Sequence, residues 1–125
     1  MSKQSLKTVL KKKSTYKVRG TLWIECAGAG FLGPGRVELM QRIENTGSIN
    51  KAAAEMGMSY KKAWEMINEL NTQAAKPLVI RQAGGEKGGG STITEEAKKL
   101  IAYHNQLRNR FLGFLEKETK NLTTS

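Results

Sequence analysis

Residues 46–64 of the chain read TGSINKAAAEMGMSYKKAW, two short helical patterns divided by a single glycine. Gly47 can end a preceding helix in the left-handed conformation, and Ser48 can cap the next helix by accepting a hydrogen bond from a backbone N–H. Gly57 and Ser59 repeat these two signals ahead of a helix predicted to run to about Asn71. Because helices joined by so short a turn cross steeply, the stretch predicts a helix-turn-helix whose second helix points outward.

A further helix precedes this pair. Pro34 stands where a helix can begin, since the N–H that proline lacks would have no partner in a first turn, and the helix is predicted to run to about Thr46. Apolar residues recur every three or four positions in all three helices, which predicts one buried face on each. The residues predicted to face the core are Val37, Met40 and Ile43; Ile49, Ala52, Ala53 and Met56; and Ala63, Ile67, Leu70 and Ala74.

Other segments show the alternation that is typical of strands. Residues 16–26 predict a strand with one buried face, followed by a glycine-rich connection to the first helix. Residues 78–81 and 91–94 predict two more strands, joined by a glycine-rich loop. A hairpin after a helix-turn-helix forms the wing of a winged helix. The first strand's buried face is predicted to hold Tyr16, Val18, Leu22, Ile24 and Cys26.

The last predicted helix is capped by Thr94 and carries two glutamates in its first turn, where carboxylates suit the helix dipole. Its apolar residues form a seam like that of a coiled coil: Leu100, His104, Leu107, Phe111 and Phe114. The seam favours a homodimer, although the same residues can instead cover the core of a single chain. We interpret His104, the one histidine, as packed or interfacial rather than as a ligand.

These elements predict one mainly α domain with a small β component. Its fold class is a winged helix-turn-helix made of a strand, three helices, a β-hairpin wing and a long C-terminal helix. Residues 1–15 are predicted to form a basic tail and residues 16–94 the winged helix-turn-helix domain. Residues 95–125 are predicted to form a long dimerisation helix and a C-terminal tail.

The charge of the chain indicates a polyanionic partner. The formal net charge is +10, and the first nineteen residues hold seven basic residues and no acidic one. The alternative for this tail is a solvated arm that only aids solubility. Residues 47–73 hold three lysines and three glutamates, so we expect the attraction to come from Arg36, Arg42, the wing and the basic tail.

The outward side of the third helix is the predicted reading surface for double-stranded DNA. Its lysines lie at the N-terminal end, which enters a major groove first, and Glu65 can accept a hydrogen bond from cytosine N4. The alternative is a helix-turn-helix that serves only as a scaffold for protein interactions. The candidate DNA-binding residues are Ser48, Asn50, Lys51, Ser59, Tyr60, Lys61, Lys62, Glu65, Arg81 and Lys87.

Two glycine-rich stretches resemble nucleotide-binding motifs. Residues 28–33 match GxGxxG, but a dinucleotide-binding unit needs a parallel strand after the following helix, and here two more helices follow. We interpret residues 28–33 as a tight connection into the first helix. Residues 84–90 lack the GxxxxGK[ST] pattern of phosphate-binding loops and are interpreted as the tip of the wing.

Several classes of protein and site are not expected. The single cysteine, Cys26, excludes a disulfide within the chain and fits a reducing compartment. The sequence has no apolar run of about 20 residues and no apolar core of a signal peptide, so we expect a cytoplasmic protein. We expect no metal, no cofactor, no membrane partner and no catalytic residue.

Residues 59–71, SYKKAWEMINELN, followed by the glycine-rich loop at 84–90, resemble the N-terminal DNA-binding domain of ModE-type molybdate-responsive transcription regulators. That domain is similar to the winged helix-turn-helix of LysR-type regulators. The resemblance runs from about Tyr16 to Leu115 and implies a homodimer, joined through strand and long-helix contacts, on a palindromic operator. The family's molybdate-binding modules follow the long helix, and this sequence ends at Ser125. Molybdate is therefore not an expected partner.

The predicted function is sequence-specific binding of double-stranded DNA by a homodimeric prokaryotic transcription regulator. One alternative is a protein-interaction module, or an accessory partner of a regulator, that has no operator of its own. A further alternative is an enzyme that binds a nucleotide at residues 28–33.

Overall fold

A computed structural model describes residues 6–82 and 90–124. The predicted wing tip and its Lys87 lie outside these residues. In chain order the elements are β1 (Ile24–Cys26), β2 (Ala29–Leu32), α1 (Pro34–Thr46), α2 (Ile49–Glu55), α3 (Tyr60–Gln73), β3 (Val79–Gln82), β4 (Gly90–Ile93) and α4 (Glu95–Thr124). The four helices and two antiparallel hairpins confirm the prediction of a mainly α winged helix-turn-helix.

The residues that end and begin the helices of the helix-turn-helix are those that the sequence predicted. Gly47 ends α1 with φ of 69°, and its N–H donates to the carbonyl of Ile43. Ser48 caps α2 by accepting from the N–H of Lys51, and Ser59 caps α3 by accepting from the N–H of Lys62 at 3.0 Å. These caps satisfy backbone donors that the helices leave unpaired, so they fix where α2 and α3 begin.

The core lies among the three helices and the hairpin β3–β4. Helix α1 packs against both α2 and β4, which explains why it buries Leu39 in addition to the predicted residues. The predicted inward residues of α2 and α3 are buried except for Met56 and Ala74, which are half-buried at the helix ends. The small alanines of α2 let α3 approach closely, as the sequence predicts.

The strands of the wing are tied to the helices on both sides. Strand β3 pairs antiparallel with β4, from Val79 opposite Ile93 to Gln82 opposite Gly90. The Asn71 side chain accepts from the N–H of Leu78 at 2.8 Å and donates to the carbonyl of Val79 at 2.9 Å. The N–H of Ser91 donates to the carbonyl of Gly47 at 2.9 Å. The paired part of the wing is therefore anchored to α3 and to the turn between α1 and α2.

The prediction of a strand over residues 16–26 is wrong in extent. Strand β1 covers Ile24–Cys26 and pairs with β2, which the sequence analysis interpreted as a connection. The two strands are joined through Ala27 and Gly28, which have φ of 51° and 83°. The predicted alternation of burial does hold: Tyr16, Val18, Leu22, Ile24 and Cys26 are half-buried, and Lys17, Arg19, Thr21, Trp23 and Glu25 are exposed.

The end of α4, rather than a neighbouring strand, covers residues 16–20. The N–H of Val18 donates to Thr119 Oγ1 at 2.9 Å, and the Phe111 ring lies against Gly20. Helix α4 has 30 residues, so it is roughly 45 Å long, and its first half packs on the core through Ala97, Ile101 and His104. Its second half extends past the core and contacts residues 16–20.

His104 is packed inside the single chain. The residue is 1 % exposed, and neither ring nitrogen has a hydrogen-bond partner among the described residues. Burial, with a smaller contribution from the nearby positive charge of Arg108, lowers the pKa of His104 from its usual value of about 6.5. The structure thus supports packing rather than ligation for this residue.

We expect the stability of the fold to fall as the imidazole of His104 becomes protonated. Because the folded-state pKa is lowered, the unfolded chain binds more protons, and this contribution is complete above about pH 6.5 and is lost as the pH falls through the folded-state value. Urea unfolding at about pH 7.5 and about pH 5.5 measures the loss. His104→Leu should show a smaller loss between the two pH values; an equal loss would assign the effect to other groups.

Candidate nucleic-acid interface

The outward face of α3 consists of Lys61, Lys62, Glu65, Asn68, Glu69 and Thr72, all exposed. Helical geometry places these residues opposite Ala63, Ile67 and Leu70, which are buried. Four of the predicted contact residues lie at or beside the start of this face: Ser59, Tyr60, Lys61 and Lys62. The structure therefore brings the predicted reading residues of α3 together on one exposed surface.

The predicted contact residues of α2 lie at its beginning. Ser48 is half-buried, and its hydroxyl caps the helix, whereas Asn50 and Lys51 are exposed in the first turn. The Ser59 hydroxyl is likewise engaged as the cap of α3. Both serines thus serve the backbone, while Asn50 and Lys51 present their side chains to the surroundings.

Arg36 and Arg42 do not present free positive charge, contrary to the expectation from the sequence. Arg36 pairs with Glu69 and also donates to the carbonyls of Gly30 and Phe31 and to the Gln73 side chain. Arg42 pairs with Glu38 at 2.8 Å and with Glu55 at 3.0 Å, and these contacts raise its pKa further above the usual value.

These ion pairs change the charge balance of the helix-turn-helix. The sequence alone has equal numbers of lysines and glutamates in residues 47–73. Because Glu55 and Glu69 are paired with arginines, Glu65 is the one carboxylate within residues 47–73, all of which the structure describes, that forms no salt bridge. The two arginines therefore act indirectly, since they neutralise acids that would repel a polyanion beside Lys51, Lys61 and Lys62.

The wing contributes an arginine next to the start of α3. The guanidinium of Arg81, on β3, lies 5.0 Å from the ring centroid of Trp64, and one of its amino groups donates to the Tyr60 hydroxyl. Arg81 and Tyr60 are exposed, and Trp64 is half-buried. Arg81 and Tyr60 are both predicted DNA-binding residues, whereas Trp64 is not among the predicted residues.

Two of the three glycines of the GxGxxG match, Gly30 and Gly33, are explained by the Trp23 side chain. The indole lies across Gly30 and Gly33, and a Cβ atom on Gly33 would come within 2.4 Å of it. The same ring lies 5.9 Å from the Arg36 guanidinium. Because both hairpins in the described residues are antiparallel, the match does not stand in the parallel-strand setting of a dinucleotide site.

Gly33→Ala is expected to lower the free energy of unfolding by about 1–3 kcal/mol, because the added methyl group would displace the Trp23 indole and weaken its stacking with Arg36. Urea unfolding followed by circular dichroism measures the change. Gly35→Ala is the matched control, since a Cβ there meets no atom within 4 Å. If the two variants were equally stable, close packing would not be the reason for glycine at position 33.

The residues of the predicted seam of α4 differ in burial: some pack within the chain, and Phe114 is exposed. His104 is buried within the chain, and Leu100, Leu107 and Phe111 are half-buried, with Phe111 against Gly20. Phe114 is 51 % exposed. At about 100° per residue, Tyr103, Leu107 and Phe114 share one side of α4, which we call the exposed stripe. This stripe is what the single chain leaves available for a second copy.

Within residues 6–82 and 90–124, no group of three or more His, Cys, Asp or Glu side chains is arranged to hold a metal ion. None of the helices in that part of the chain combines the length and the apolar character needed to cross a membrane.

Residues 35–98, about half of the chain, match the family described as "Bacterial regulatory helix-turn-helix protein, lysR family". Similar proteins include the "Molybdenum transport protein ModE" of Azotobacter vinelandii, 37% identical over 91 residues that cover 73% of this chain and 34% of that protein. The "Transcriptional regulator ModE" of Yersinia pestis is 42% identical over 77 residues (62% of this chain, 29% of the relative). The "DNA-binding transcriptional dual regulator ModE" of Escherichia coli (strain K12) is 40% identical over 77 residues, with the same coverage.

The chain spans about a third of the length of these relatives. The family and the relatives named as regulators are regulatory proteins rather than enzymes. The matched segment contains the capped α2 and α3 and the paired strands of the wing. The chain belongs to the LysR family of bacterial regulatory helix-turn-helix proteins and resembles the N-terminal region of ModE regulators.

Proposed function

We propose that this protein is a transcription regulator that binds double-stranded DNA in a sequence-specific manner, as a homodimer on a palindromic operator. The observation that carries the proposal is the exposed polar face of α3, which begins at a capped N-terminus beside Arg81 of the wing. Membership of a regulatory family and similarity to proteins named as transcriptional regulators support it. The site of action would be the bacterial cytoplasm, where the DNA lies.

In this proposal the N-terminal part of α3 enters the major groove. Lys61 and Lys62 are long enough to reach base edges or flanking phosphates, and Glu65 suits a cytosine amino group. Asn50 and Lys51, at the start of α2, suit the phosphate backbone, as do the N–H groups in the first turns of α2 and α3 that the Ser48 and Ser59 hydroxyls do not engage. Lys87 would add a contact from the wing. Phosphate contacts set the position of the protein, and base contacts set its sequence preference.

The homodimer follows from the reading geometry. One winged helix reads one half-site, so a palindromic operator requires two copies whose reading helices are roughly one turn of duplex, ~34 Å, apart. We assign residues 95–125 to dimerisation through the exposed stripe, residues 16–94 to DNA binding, and residues 1–15 to a basic tail that adds phosphate contacts. The half-buried Leu100 and Phe111 of the seam would border the interface, with Leu107 and Phe114 inside it, and the buried His104 would pack α4 on the core.

Selection of bound sites from random duplex DNA tests this function. The expected result is an enriched palindrome whose half-sites are separated by about one helical turn. A folded protein that enriches no sequence would contradict sequence-specific binding and favour the protein-interaction alternative. Enrichment of a single half-site without symmetry would contradict the homodimer but retain the reading surface.

A further inference from the structure

Arg81 differs from Arg36 and Arg42 in what holds its side chain. Arg36 and Arg42 are each paired with carboxylates, which cancel their charge. Arg81 is held by two uncharged aromatic groups, the Trp64 ring at 5.0 Å and the Tyr60 hydroxyl. No salt bridge to Arg81 occurs within the part of the chain that the structure describes. Its positive charge is therefore available to an external anion.

The two aromatic contacts also restrict the movement of this charge. The cation–π contact keeps the guanidinium against the Trp64 ring, and the bond to the Tyr60 hydroxyl holds one of its amino groups in place. Only one of its amino groups is engaged by Tyr60, so other N–H donors remain available. A planar guanidinium with free donors matches the geometry of a phosphate group.

The position of Arg81 favours a backbone phosphate over a base edge. Arg81 is on β3, beside the first turns of α3, and is not part of the outward face of that helix. When the outward face lies in a groove, groups at its side meet the sugar–phosphate strand that borders the groove. The ligand chemistry is thus that of a phosphate diester.

We propose that Arg81 binds a phosphate of the DNA backbone and that Trp64 and Tyr60 are positioning residues that hold its guanidinium ready for that contact. This inference rests on the proposed DNA-binding function. It assigns Tyr60 a role through Arg81, in place of the direct DNA contact expected from the sequence. Ordering a free arginine side chain costs affinity at the moment of binding, and the aromatic contacts remove most of that cost in advance.

The experiment measures DNA affinity against salt concentration for the full chain and four variants, on a selected operator and on a random duplex. Arg81→Gln should reduce the slope of log affinity against log salt by about 0.9, equally on both duplexes, because one phosphate contact is lost. Trp64→Leu should keep the slope, since the charge remains, but weaken binding by about 3- to 10-fold. Trp64→Phe, which keeps a ring, should restore most of the affinity.

Tyr60→Phe removes only the hydroxyl and keeps the ring, so it tests positioning even if Trp64→Leu fails to fold. It should weaken binding without changing the slope. In the Arg81→Gln background neither aromatic substitution should weaken binding further, because the residue that they position is absent. An unchanged slope for Arg81→Gln, or aromatic effects that persist in its background, would overturn the proposal. A wild-type chain that prefers no sequence would instead contradict the proposed function.

Discussion

Leu107→Glu combined with Phe114→Glu is expected to yield a folded monomer that has lost operator binding. Both residues lie on the exposed stripe of α4, and the symmetric interface that we propose would bury two like charges from each copy. An unpaired buried carboxylate costs about 3 kcal/mol or more, so the dimer dissociation constant should rise by more than about 100-fold. Analytical ultracentrifugation measures the assembly state, and gel-shift titration measures operator affinity.

The control adds the same charge on the opposite side of the helix. Asn105→Glu with Asn109→Glu changes two exposed polar residues and should leave the dimer and its DNA affinity close to those of the wild type. A Leu107/Phe114 variant that remains dimeric would place the interface elsewhere, for example along residues 16–23. A variant that unfolds would mean that these two positions belong to the core of the single chain.

Lys61→Gln combined with Lys62→Gln is expected to weaken operator binding by roughly 100-fold, since each lost base contact costs about 1–3 kcal/mol. Both side chains are exposed and lie on the outward face of α3, so the fold should be unaffected. Fluorescence anisotropy with the selected operator and with a random duplex measures the two affinities. A larger loss on the operator than on the random duplex would assign the lysines to base edges.

The matched control is Lys99→Gln with Lys117→Gln, which removes two exposed lysines from α4. It should weaken both duplexes slightly and equally, through the loss of long-range attraction. If both double variants weakened the two duplexes by the same small factor, α3 would not be the reading helix. Equal but large losses for the α3 variant, with a reduced salt slope, would assign its lysines to phosphates.

The helices were predictable because local interactions determine where each helix begins and ends. The residues that set these boundaries act through their own backbone angles or through the nearest N–H groups, so the prediction requires no distant residue. They are Pro34, Gly47, Ser48, Gly57 and Ser59. The hairpin of the wing was predictable for the same reason, since its two strands are neighbours in the sequence. Elements of this kind can be predicted from a window of a few residues.

The N-terminal region shows where this locality ends. The alternation in residues 16–26 correctly predicted which side chains are covered, but not by what: α4, about a hundred positions away, covers residues 16–20, and Cys26 lies against the end of α3. The strand Ala29–Leu32 was missed because glycine and alanine are weak strand formers, and the reason for Gly30 there is the Trp23 indole that packs against it.

The residues of the candidate site were predicted from the sequence, but the contacts between them were not. The outward face of α3 follows from helical periodicity, and the structure places those residues as expected. The pairing of Arg36 with Glu69 and of Arg42 with Glu55 joins residues that are far apart in the chain. From composition alone, these arginines were therefore expected to carry positive charge that no carboxylate neutralises. The contacts of Arg81 were not predictable either, because its aromatic partners belong to another element.

The anchoring of the wing has a consequence for protein engineering. Asn71 and the carbonyl of Gly47 hold the two strands from positions that are not part of the outward face of α3. The residues that read DNA in our proposal can thus be exchanged without altering the contacts that orient the wing. A library randomised at Lys61, Lys62, Glu65 and Asn68 would vary operator preference on a fixed scaffold, whereas changes at Asn71 would alter the scaffold itself.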